Sequence, residues 1–169
     1  MPNATVKELR AKTDAAWANL TRQLHGMEPY MERADAPGEW TTREVLSHLM
    51  FVDGASPVHL LKTFASHAFP LVELVPGETA MTAARRTMTL RQLTDALDAQ
   101  RRSILTYIEG LPEADLQHRK ARIPLFKEFM GTDEIPIATF VGAMYDYNWN
   151  DHAGQLAKIR KAVGLPEAK

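Results

Sequence analysis

Histidine is the residue of this chain best suited to chemistry, and there are six: His25, His48, His59, His67, His118 and His152. Imidazole binds divalent cations and exchanges protons near neutral pH. Two of the six interrupt apolar helical faces. His48 falls between Val45 and Val52 beside Leu49, and His152 falls between Trp149 and Leu156. Singly, each fits a hydrogen-bonded core histidine. Together, on two helices of one bundle, they fit a metal site, because facing side chains converge enough for two imidazoles to share an ion at about 2.0–2.1 Å each. A third ligand belongs one turn from His152, since residues four apart share a helix face. That position is Asn148, whose amide oxygen is a weaker donor to zinc or nickel than imidazole or carboxylate. Tyr145 and Gln155 complete the same polar seam, where they are candidates for orienting a bound cofactor or substrate. Trp40 and Trp149 are candidates for a pocket wall, with core packing as the competing role. Asp146 and Asp151 point elsewhere on the helix. On a continuous helix His59 would stand roughly 16 Å from His48, too far to share its ion.

Other chemistries lack their residues. The chain has no cysteine, which removes disulfides, thiolate metal sites and cysteine nucleophiles together. The nine glycines never form a phosphate-binding loop, and neither G-x-S-x-G nor H-E-x-x-H occurs. Twenty Lys and Arg against twenty-one Asp and Glu leave a net charge of −1, which offers no electrostatic reason for a nucleic-acid or acidic-membrane partner. The basic run from His118 to Arg122 reads as a solvated loop. No apolar stretch approaches a membrane span or a signal peptide, so the expectation is a cytoplasmic protein. Its 169 residues suit a single domain over 1–169 with a real core.

The elements that position these residues read as helices. Val6, Leu9, Ala16, Trp17, Leu20, Leu24, Met27 and Met31 recur at helical spacing, and Pro29 is expected to end or kink that helix. Thr41 with Glu44 forms a capping box that opens a second helix through Val45, Leu46, Leu49 and Val52, kinked or split near Gly54 and Pro57. Residues 66–87 read mainly as a long crossover. Thr89 and Gln92 open a third helix that runs through Leu93, Leu97, Ile104 and Ile108 to Gly110. Residues 113–134 are mixed, with a brief helix expected near Leu125 to Met130. The last helix starts near Pro136 and closes at Gly164. No strand of useful length is expected. Four long helices with two long connections predict an all-α four-helix bundle.

The stretch from Glu39 to Leu49, with Trp40, Thr41, Leu46 and His48, resembles the W-[ST]-x-x-[ED]-[VIL]-L-x-H-[LI] entry of the DinB/YfiT-like metalloenzyme family. Asn148 to Leu156 is similar to the family's H-x-x-x-H-x-G-Q-[IL] segment, and Leu111 to Leu116 to its L-x-x-x-D-L helix exit. The resemblance covers nearly the whole chain. It implies an up-down-down-up bundle, often a homodimer, with a divalent metal on His48, Asn148 and His152. Most relatives carry His where this chain has Asn148, and some carry Asp or Glu.

Two classes of function follow. The first is a metal-dependent transferase acting on a small-molecule substrate. Its divalent ion (zinc, nickel or manganese) would activate a low-molecular-weight thiol, which a chain without cysteine must take from outside. Metal-assisted hydrolysis is the variant with water as nucleophile. The second, prompted by Asn148, is a metal-poor bundle serving binding or stress-related association without catalysis.

Overall fold

The computed structural model describes residues 3–51 and 56–169. Helix α1 spans Ala4–Leu24, with Asn3 accepting the Val6 N–H at its start and Val6, Leu9, Ala16, Leu20 and Leu24 buried along one stripe. It stops earlier than Pro29 suggests. Gly26 adopts φ +77°, a left-handed conformation that glycine tolerates and that unwinds the helix, and Pro29 lies in a separate 3₁₀ turn at Glu28–Tyr30.

Helix α2 spans Thr42–Leu49, and its capping box is complete: Thr41 accepts the Glu44 N–H while the Glu44 carboxylate accepts the Thr41 N–H. Helix α3, Pro57–Thr63, begins afresh on Pro57. Val52 and Gly54, where a kink is expected, lie outside the described residues. The crossover includes a short helix α4, Ala83–Thr87. Helix α5 spans Leu90–Glu109, with its Thr89–Gln92 capping box also complete, and ends at Gly110.

Helix α6, Glu113–His118, leads into strand β1, Lys120–Arg122. Helix α7 is Phe126–Met130, and strand β2, Glu134–Pro136, pairs antiparallel with β1, Ala121 opposite Ile135. This ribbon corrects two expectations. Residues 113–134 contain one strand and lead into the second, each three residues long and so too brief for a period-2 pattern to register. The His118–Arg122 run is also no loop. Arg119 donates to the Phe64 and Lys62 carbonyls, and Lys120 and Arg122 bridge to Ala65 and Leu71 of the crossover.

The last helical run comprises α8, Ile137–Gly142, a π-helical turn at Ala143–Tyr147, and α9, Asn148–Ala162. Gly164, at φ +80°, closes it. The π turn was not foreseen. Val141, Tyr145 and Trp149 are all buried at strict four-residue spacing, a repeat slightly longer than the 3.6-residue turn. The wider i→i+5 turn absorbs that difference and keeps all three side chains inward.

Helices α1 and α9 run parallel. Trp17 meets Trp149 (ring centroids 5.6 Å), Asn19 donates to Asn150 (2.8 Å), and Arg160 donates to the Gln23 carbonyl (3.0 Å). Helices α1 and α5 run antiparallel, with Arg10 paired to Glu109, Asp14 to Arg101, and Arg101 over the Trp17 ring at 5.5 Å. Helix α5 runs parallel to α2: Arg43, at the start of α2, donates to the Met88 carbonyl just before α5, and Gln100, farther along α5, donates to the Leu49 carbonyl at the end of α2 (3.1 Å). The core between them is continuous, and no helix is long and apolar enough to cross a membrane among the described residues.

Helix α2 has only eight residues, so its start signal carries much of its local stability. Thr41→Ala should lower the unfolding free energy by about 1 kcal/mol, read as a lower urea midpoint with an unchanged m-value.

Candidate functional site

The structure brings His48 and His152 together. Their rings meet edge to face with centroids 4.7 Å apart, one from the C-terminal turn of α2 and one from the second turn of α9. Trp40, immediately before the α2 cap, covers both. Its ring lies 4.8 Å from that of His48 and 6.0 Å from that of His152, nearly parallel to the latter at 9°. The other four histidines are exposed and separate from this pair.

The hydrogen bonds set the chemistry of both rings. His48 Nδ1 lies 2.6 Å from the Glu78 carbonyl oxygen, and His152 Nδ1 lies 2.9 Å from Gln155 Oε1. The Glu78 carbonyl can only accept, so His48 Nδ1 carries the proton; with Gln155 turned to present Oε1, His152 Nδ1 carries one as well. Each Nε2 is then an unprotonated lone pair, with no protein hydrogen bond among the described residues. This is the arrangement that prepares an imidazole to ligate a cation, the outer acceptor fixing both tautomer and ring orientation. The donor chemistry fits a divalent ion on two nitrogens. No group of three or more His, Cys, Asp or Glu suited to an ion occurs among the described residues, so a third protein donor must be of another type.

Asn148 carries a side-chain amide, a donor of that other type. It is half-buried one turn before His152, at the junction of the π turn and α9. It also lines a cavity of about 850 Å³ with Leu9, Lys12, Phe126, Phe129 and Met144. Pro76 lines the same cavity, two residues before the Glu78 carbonyl that holds His48. The cavity size suits a small molecule, and its walls are largely apolar.

The remaining seam residues part company. Gln155 sits on His152. Trp149 and Tyr145 are each 1% exposed, pack against each other with centroids 5.3 Å apart, and belong to the core. Burial pushes the Tyr145 phenol far above its ordinary pKa, with the Gln100 side chain opposing, so it stays protonated.

Three contributors had no usable signal in the sequence. Glu78 acts through its backbone carbonyl, which any residue would supply. Gln100 donates to the Leu49 carbonyl and accepts the Phe51 N–H (3.1 Å each), securing the C-terminal end of α2. Arg85, 1% exposed, donates to carbonyls on both sides of His48. In the sequence it is one of two adjacent arginines in a crossover.

Burial lowers the His152 pKa from its ordinary 6.5, the hydrogen bond that His152 donates to Gln155 opposes this, His48 lowers it further, and Asp151 opposes weakly. The folded chain therefore takes up this proton less readily than the unfolded chain. Stability should begin to fall as pH drops below about 6.5, and the loss should level off below the depressed folded value. Thermal unfolding followed from about pH 7.5 to about pH 5.5 should show a larger decline for the wild type than for His152→Asn.

The DinB superfamily model matches residues 5–156, a span that contains the Trp40–His48 helix entry, the crossover that supports it and the Asn148–His152 turn. No curated protein and no solved structure matches the chain. A match over most of the length, on the residues that form the histidine pair, establishes that the chain belongs to the DinB superfamily.

Proposed function

We propose that this chain is a metal-dependent enzyme that holds a divalent cation, zinc, nickel or manganese, on His48, His152 and Asn148. The observation that carries this reading is the pair of Nδ1 hydrogen bonds, to the Glu78 carbonyl and to Gln155, which leave Nε2 as the open nitrogen on two rings whose centroids are 4.7 Å apart. The parallel α1–α9 and α2–α5 contacts and the antiparallel α1–α5 contacts support an up-down-down-up four-helix bundle around that pair. A bound cation would supply Lewis acidity, favouring the anionic form of a thiol or water at an open position.

The chain's own groups do the rest. Trp40 shields the rings from water, which strengthens their electrostatic interactions. The cavity bordered by Asn148 would take the apolar body of a small substrate. Tyr145, held protonated, stays neutral and cannot act as a base near neutral pH. With no cysteine in the chain, the nucleophile of a transferase would be an external low-molecular-weight thiol. Hydrolysis differs only in using water, and product analysis with and without added thiol distinguishes them. The reading is of a cytoplasmic homodimer.

A second reading rests on Asn148 itself. Two imidazoles and one amide form a weaker donor set than three imidazoles, which favours a metal-poor bundle that binds small molecules without catalysis. The two differ in the effect of Asn148→His: a strong gain in zinc affinity supports the metal-poor reading, and little change supports a competent native site.

Native mass spectrometry after loading with zinc should show one ion per chain, lost in His48→Ala and in His152→Ala. A wild-type chain that binds none of zinc, nickel or manganese overturns the metalloenzyme reading. Gln155→Ala should weaken zinc binding about 10- to 100-fold in a calorimetric titration, because it frees the His152 ring while leaving the ligands in place.

A further inference from the structure

His48 is oriented by a loop, and a loop carbonyl orients a ring only if the loop is itself held. Glu78 lies between two left-handed backbone positions, Gly77 at φ +77° and Ala80 at φ +51°. Glycine adopts such a conformation freely, whereas alanine does so at a cost and only where the surroundings enforce it. The surroundings here are Arg85. Its Nη1 donates to the Ala80 carbonyl (2.8 Å) and to the Ser47 carbonyl (3.1 Å), and its Nη2 donates to the Phe51 carbonyl. One guanidinium therefore ties the loop that contains Glu78 to the backbone on both sides of His48.

Arg85 is itself fixed. Its N–H is capped by the Thr82 hydroxyl (3.1 Å), its carbonyl accepts from Arg43 Nη1 (3.0 Å), and its side chain is 1% exposed. Arg43 stands on α2, so α2 and α4 hold each other through two arginines pointing in opposite senses. The planar fork matters. Its separate N–H groups reach carbonyls in different directions at once, and an ammonium has no such rigid geometry.

We propose that Arg85 is a positioning residue for His48: by fastening the 78–80 loop to the end of α2, it holds the Glu78 carbonyl on Nδ1 and keeps Nε2 as the free lone pair. The proposal rests on His48 being a metal ligand, but its first consequence concerns the metal-free ring. In the wild type, long-range ¹⁵N–¹H NMR at a pH where the imidazole is neutral should show His48 as the Nδ1–H tautomer. Arg85→Lys, which retains the charge without the fork, should shift His48 toward the Nε2–H form. It should also lower zinc affinity about 10- to 100-fold by calorimetry, with cooperative thermal unfolding retained.

Arg85→Met should shift the tautomer at least as far; where it does not fold, Arg85→Lys decides. A folded Arg85→Lys chain with the wild-type tautomer and wild-type zinc affinity overturns the assignment. A wild-type chain that binds none of zinc, nickel or manganese overturns the metal reading alone, because the tautomer comparison still tests Arg85 directly.

Discussion

Two imidazoles placed 4.7 Å apart within a helical bundle cannot both carry charge without strong repulsion, and each Nδ1 meets a protein acceptor. The local architecture answers to that constraint. A second charge beside a buried imidazolium would be costly, and the direction of the His152 pKa shift reflects both burial and the neighbouring ring. Once both Nδ1 protons are committed, each Nε2 becomes the only nitrogen left for a cation. The polar groups around the pair, the Glu78 carbonyl, Gln155, Arg85 and Gln100, act on that outcome directly or through the backbone beside it.

The two rings are held by different means. His152 stands on α9, a long helix seated along α1 through Trp149 on Trp17, Asn150 with Asn19, and Arg160 on the end of α1. Apolar packing holds it, as for an ordinary core position. His48 stands near the C-terminal end of an eight-residue helix, too short to persist by propensity alone. Polar contacts hold that helix: a capping box at its start, Gln100 on its last carbonyl, and Arg85 around its final turn. Loss of packing would loosen the whole bundle, whereas loss of one polar clamp would release one ring.

The π turn joins the two parts of this design. Without its wider turn, the four-residue repeat from Val141 to Trp149 would rotate off the core, and α9 would present a different face to α2. Its end is Asn148, one helical turn before His152 and on the wall of the apolar cavity beneath α1, α7 and α8.

The sequence by itself determined the main helices and the identity of the pair. Thr41 with Glu44, Thr89 with Gln92, and the spacing around His48 and His152 are local signals, and a helix converts local spacing directly into a shared face. Gln155 was legible for the same reason, three residues from His152. Tertiary structure alone decided which nitrogen of each ring is free, because the decisive acceptor for His48 is a backbone carbonyl thirty residues away, with no side-chain signature. It also decided that Tyr145 and Trp149 turn to the core while Asn148 faces a cavity, and that Arg85, unremarkable among the crossover's charges, lies buried against the backbone around His48. Chain distance hides such contacts: they arise where the crossover folds back, and neither periodicity nor composition records where a loop returns.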